Sequence, residues 1–209
     1  MKKQPIDFHS EGCKLDGDMY LPDGLAAGEM RAGIVLCHGY TGVKDLYLPD
    51  NARVLCDAGY AVLTFDYKGW GKSEGPRDRL APHGRVADVQ AAMTYLGARA
   101  EVDAGRIGLY GTSYGGATVV WAAAIDARAQ CVVSVVGVGH GGRWMRSVRH
   151  PDEWADMLER ADIDRVARMQ SGQSQRAERS EILLPDRQSA ALAAKARATN
   201  PNAINTLPL

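Results

Sequence analysis

Between residues 30 and 138, short apolar runs alternate with stretches of helical spacing, and this pattern restricts the fold more than any other feature of the chain. Residues 32–38 (AGIVLCH), 61–66 (AVLTFD), 106–112 (RIGLYGT) and 131–138 (CVVSVVGV) are apolar almost without interruption. A strand with one wet face alternates polar and apolar residues. A strand covered on both faces does not, and such strands belong to parallel sheets lying between helical layers. The intervening segments supply the helices. Residues 46–58 have helical spacing and stop at Gly59. Residues 85–100 bring Val86, Val89, Met93 and Leu96 to one face, and 114–125 read as a helix of small residues. The expected fold class is α/β, a doubly wound, mostly parallel sheet flanked by helices. Residues 12–22 (GCKLDGDMYLP) are more polar and are expected to form an antiparallel edge strand or hairpin.

After Gly142 the texture changes. Arginines and acids become dense, and Pro151 followed by Asp152 and Glu153 marks a helix start. Trp154, Met157, Leu158 and Ala161 give that helix an apolar stripe, and 188–198 reads as a further helix. The expected organisation is a core over 1–139, a helical segment over 140–199, and a truncated tail over 200–209. A length of 209 residues is enough for one full core.

Charge and cysteine content exclude several function classes. Lysine plus arginine number 25 and aspartate plus glutamate also number 25, so no field favours nucleic acid or an anionic membrane. The N-terminus has no apolar signal-peptide region, and no stretch approaches the roughly 18 apolar residues of a membrane span. A soluble cytoplasmic protein is expected. Cys13, Cys37, Cys56 and Cys131 show no metal-ligand spacing. Cys37 and Cys131 lie in apolar runs and are expected as buried free thiols. No metal is expected. With no phosphate-cradling glycine motif in context, no nucleotide cofactor is expected either.

The pattern GxSxG occurs twice, at 71–75 (GKSEG) and 111–115 (GTSYG). A serine at a sharp strand-to-helix turn projects its hydroxyl above the sheet edge, and only the second copy has a strand before it and a helix after it. Ser113 is therefore the candidate nucleophile, with Gly111 and Gly115 removing side chains that would collide at the turn. Ser73 runs into Gly75 and Pro76 and is read as a loop residue. The helix after Ser113 points its N-terminal amides at the same spot, so the Tyr114 N–H is a candidate oxyanion donor. A second donor is expected from the loop at 38–42 (HGYTG), where Gly39 lets the backbone curl and turn the Tyr40 N–H inward. His38 is expected to order that loop.

These three segments together, HGYTG at 38–42, FDYKGWGKSEG at 65–75 and YGTSYGG at 110–116, resemble the α/β-hydrolase superfamily in order and spacing. The flavour is that of its esterase, dienelactone-hydrolase and serine-peptidase-like branches, over roughly residues 12–140. The resemblance implies that the helical segment over 140–199 is a lid or cap insert. The resemblance implies a serine hydrolase of carboxylic esters, thioesters or activated amides, working through an acyl-enzyme on a small-molecule acyl substrate. It also implies an acid and then a histidine later in the chain. No such signature follows Ser113, so the chain is expected to be C-terminally incomplete and impaired. A catalytically silent fragment or binding module is the competing reading. His140, in a glycine-rich loop after the strand beside the serine, is the candidate surrogate base, oriented by Asp152 or Asp162. His9, His83 and His150 are expected to be exposed.

Four further expectations concern supporting residues. Asp66 should brace the glycine loop that follows it. Trp144, Met145, Trp154 and Met157 should either line an acyl pocket or, the favoured reading, form the packed face of helices. Arg143, Arg146 and Arg149 should lie on a solvated helix face. The strand at 131–138 should be left as an apolar edge, which invites self-association.

Overall fold

In a computed structural model, the structure describes residues 1–184, 190, 191, 194, 198 and 206–209. The chain divides into two compact units, Met1–Gly137 and Val138–Leu209.

The first unit is built on a six-stranded sheet. Its strands are β1 (Lys2–Ser10), β2 (Cys13–Leu21), β3 (Arg31–Cys37), β4 (Ala61–Phe65), β5 (Val102–Thr112) and β6 (Ala129–Val135). They lie in the order β1-β2-β4-β3-β5-β6. Strands β3 to β6 run parallel, and β1 and β2 form an antiparallel hairpin that joins β4. The expected mostly parallel α/β sheet is what forms. The hairpin answers the polar 12–22 stretch, with β1 rather than β2 at the edge.

Three helices cover this sheet: α1 (Leu48–Asp57), α2 (Pro82–Gly97) and α3 (Tyr114–Ile125). Strand alternation decides which side chains meet which helix. Ile34, Leu36, Val62 and Tyr110 face Leu48, Ala52 and Cys56 of α1. On the other face, Gly33 admits Leu96 of α2, and Phe8 packs between Phe65 and Tyr95. Both faces are dry, which is why β4 is buried along its whole length.

Element boundaries moved in informative ways. Helix α2 begins at Pro82, which occupies the first turn where its missing N–H costs nothing. Strand β5 starts at Val102 and carries an irregularity where its register with β3 shifts. Cys37 is buried, but Cys131 is exposed, because it lies on the edge strand β6. Gly59 ends α1 with φ of +93° as its position requires.

The second unit contains α4 (Gly141–Ser147), α5 (Pro151–Ser171), β7 (Arg176–Glu178), α6 (Arg179–Ile182) and β8 (Thr206–Pro208), with β7 and β8 paired antiparallel. Trp154, Met157 and Ala161 are partly covered, whereas Leu158 is 47% exposed and leaves the expected stripe. The buried Asp164 takes the next place on that face and accepts from the hydroxyl of Ser174 at 2.8 Å. Arg149 departs from the solvated face expected for it. Its guanidinium donates to the carbonyls of Met145, Glu181 and Ile182 at 3.0, 2.7 and 2.6 Å, tying α6 to the end of α4. The helix expected over 188–198 and most of the 200–209 tail fall outside the described residues. Among the described residues no helix is long and apolar enough to cross a membrane.

Candidate active site

Ser113 stands between β5 and α3 with φ of 54° and ψ of −119°, and it is exposed. A side-chain-bearing residue enters the left-handed region only when its surroundings impose it. Here they do. The Ser113 N–H donates to Val135 O at 2.9 Å, extending the β5–β6 ladder into the turn. Three glycines then let the helix fold back sharply. A β-carbon on Gly111 would lie 2.2 Å from Gly115 O, and one on Gly115 would lie 2.4 Å from Cys37 O and 2.6 Å from His38 O. At Gly116 it would meet Ser134 Oγ at 2.8 Å. The start of α3 is thus pressed against the ends of β3 and β5, and no other residue fits at positions 111 and 115. The N–H groups of its first turn, beginning with Tyr114, have no acceptor within the helix.

The loop after β3 lies beside this turn. A β-carbon on Gly39 would come within 3.3 Å of Ser113 Cβ and 3.8 Å of its Oγ. Residues 39–42 form a tight turn, with Gly42 N–H donating to Gly39 O at 3.2 Å and Thr41 held at φ of 61°. The Gly39 N–H donates to the Tyr47 hydroxyl at 3.0 Å, and that hydroxyl also meets Thr112 Oγ1 at 2.5 Å. Tyr47 therefore links the loop to the residue before Ser113. The Tyr40 ring sits edge-on to Trp70 and tilted against Tyr114.

His38 is fully buried, its ring edge-on to Tyr67, with Nδ1 2.8 Å from Gly39 O. Burial, reinforced by the nearby positive charge of Arg85, pushes its imidazole down to about 3. It is neutral at any ordinary pH, and a group so weakly basic is a poor proton acceptor. Its Nδ1 contact holds the Gly39 carbonyl on the inner side of the loop.

Arg85, on α2, is the residue that sequence reasoning missed. It is 2% exposed, and its guanidinium carbon lies 3.8 Å from the centre of the Tyr67 ring, with Trp70 and Tyr114 also around it. Its Nη2 reaches Gly39 O at 3.4 Å. Arg85 lies on the helical face of Val89, Ala92 and Leu96, all buried, and that register was the only signal in the sequence.

The first GxSxG copy has a structural part. Ser73 is buried, donates to Asp66 O at 2.6 Å and accepts from Asp16 N–H at 2.9 Å. Asp66 braces the glycine loop as expected, accepting from the amides of Lys44 at 2.7 Å and Lys72 at 3.1 Å. Burial raises its carboxyl to about 6 despite those two amides.

His140 belongs to the second unit. There it caps α4, its Nδ1 accepting the Arg143 N–H at 3.2 Å. A neutral imidazole that accepts at Nδ1 carries its proton on Nε2. His9, His83 and His150 are exposed, with His83 against the Trp121 ring and His150 capping α5. Among the described residues no group of His, Cys, Asp or Glu is placed to hold a metal ion.

A doubly wound sheet with a strained serine at the joint between its fifth strand and the following helix defines a class. The chain belongs to the alpha/beta hydrolase fold family, whose model matches residues 34–202. It is 38% identical over 125 residues to an uncharacterized 31.7 kDa protein of the traX-finO intergenic region of Escherichia coli, covering 60% of this chain and 44% of that protein. It is also 38% identical over 126 residues to the thiohydrolase aneE of Aspergillus aculeatus, covering 60% and 38% of the two chains. The chain therefore spans less than half the length of these relatives. Among solved structures it is similar to the hypothetical protein PA2218 of Pseudomonas aeruginosa, with a TM-score of 0.83 and 23% identity over 99% of this chain and 68% of that one.

Proposed function

We propose that this chain carries the nucleophile and oxyanion donors of a serine hydrolase acting on carboxylic esters, thioesters or activated amides. One observation carries the reading: Ser113 is exposed and held at φ of 54° where β5 gives way to α3. Strain of about 1–3 kcal/mol at a single residue persists where it serves a site. In the proposed reaction the exposed Ser113 Oγ attacks the acyl carbon, its proton passes to a solvent water, and the carbonyl oxygen becomes negative. The N–H groups of Tyr114 and Tyr40 hold that charge, each worth about 3–4 kcal/mol in the transition state. Collapse expels the alcohol, thiol or amine and leaves an acyl-serine for water to cleave. The resemblance to a thiohydrolase favours thioesters within this group.

The test is a fluorophosphonate probe. Attack by Ser113 Oγ on phosphorus displaces fluoride and leaves a phosphonyl-serine. Labelling of the folded protein that disappears in Ser113→Ala is the expected outcome. A folded wild-type chain that takes no label defeats the hydrolase reading and leaves a silent binding module in its place.

A further inference from the structure

The geometry points to Arg85 as the positioning residue for the oxyanion donor at Tyr40, an inference that rests on the serine-hydrolase reading above. A trans peptide group directs its C=O and its N–H to opposite sides. The peptide joining residues 39 and 40 is trans, since the described chain has no cis bond. Its carbonyl, Gly39 O, points into the protein, toward His38 Nδ1 at 2.8 Å, Arg85 Nη2 at 3.4 Å and the Gly42 amide at 3.2 Å. The Tyr40 N–H on the same peptide is therefore turned away from that buried cluster. It is turned at a residue whose predecessor lies against the Ser113 side chain.

Three donors on one carbonyl do more than point it. A hydrogen bond to the oxygen polarises the amide and strengthens its N–H as a donor, and a charged donor does so most. His38 Nδ1 lies 2.8 Å from Gly39 O and 3.3 Å from Arg85 Nη2, and the shorter approach, to an oxygen that can only accept, assigns the proton to Nδ1 as donor to Gly39 O. His38 is held uncharged, so Arg85 supplies the only cation on this oxygen among the described residues. Burying a guanidinium with Nε and Nη1 lacking partners is costly, and stacking on Tyr67 offsets only part of that. A residue serving packing alone would do better as leucine or methionine. On the other side of residue 39, the Tyr47 hydroxyl accepts the Gly39 N–H. Both flanks of the loop are thus fixed by side chains, and Arg85 is the charged one.

The experiment compares the 209-residue wild type with Arg85→Gln and Tyr47→Phe. Two quantities are read at a temperature well below each melting point: the rate of fluorophosphonate labelling at Ser113, and hydrogen exchange in the segment 38–43. Arg85→Gln is expected to slow labelling by about tenfold or more, since a displaced oxyanion donor approaches a lost one. It should also speed exchange in that segment while distant helices exchange as before. Tyr47→Phe should move both readouts in the same direction by less, and it stands in if Arg85→Gln does not fold. A folded Arg85→Gln protein that labels within twofold of wild type, with unchanged exchange at 38–43, overturns the inference and leaves the serine reading intact. If Arg85→Gln does not fold and Tyr47→Phe changes neither readout, the inference also falls. Absence of labelling in the wild type defeats the serine reading, and the inference with it.

Discussion

His38 shows how far burial can move a residue from its usual chemistry. An imidazole normally titrates near 6.5, but this one is held at about 3 by its dry surroundings and the neighbouring Arg85 charge. The sign of the linkage follows directly. The unfolded chain takes up a proton at this histidine below about pH 6.5, and the folded chain does not until about 3. Stability is thus fully present above 6.5 and lost as pH falls toward 3, at a slope of about 1.4 kcal/mol per pH unit within that window. Burial raises Asp66 to about 6, and its slope is opposite over the acid part of the range. The informative quantity is therefore the difference between wild type and His38→Gln. Urea unfolding between pH 6.5 and 4.5 should show the variant losing stability less steeply with acid, by close to one proton. Equal slopes would mean that His38 is protonated in the folded chain.

At the scale of elements, the joint between β5 and α3 depends on close approach to β3. Gly115 lies against the carbonyls of Cys37 and His38, and the backbone there cannot retreat without dragging the end of a central strand. Gly115→Ala should lower stability by about 3 kcal/mol, at the upper end of overpacking costs, and should disturb Ser113 along with it. A thermal melt within a degree or two of wild type would show that the contact is slack. This joint was readable in the sequence, because a glycine-flanked serine after an apolar run and before a helical one has few other uses. The hairpin was only half readable. Strand β1 keeps few buried residues, so its short alternating pattern is diluted by lysines and aspartates. The early start of α2 was missed because helical spacing becomes visible only at its apolar residues, whereas its first turn is set by Pro82.

On the scale of the whole molecule, β6 is one of the sheet's two edges, opposite β1. Among the described residues β6 pairs only with β5, and Val133 and Val135 are 49% and 37% exposed. On α3, which packs beside it, Val120, Trp121 and Ile125 are also exposed. An edge strand that exposes valine side chains is suited to pairing with a second chain. We propose self-association through this strand, visible by sedimentation at micromolar concentration and reduced by Val133→Lys. A wild-type chain that sediments as a monomer throughout would sink the idea.

The sequence alone determined the layering of the first unit, the parallel core of its sheet and the position of the strained serine. Each of these depends on residues close together in the chain, either a run apolar enough to be dry on both faces or glycines at fixed offsets around a turn. Only the tertiary structure decided that Cys131 faces outward, that Arg149 clamps three carbonyls, and that Arg85 reaches Gly39 across 46 residues of chain. An arginine in a helix is written the same way whether it ends in water or among three aromatic rings. Its surroundings exist only once distant segments have packed, and they change what the side chain can do.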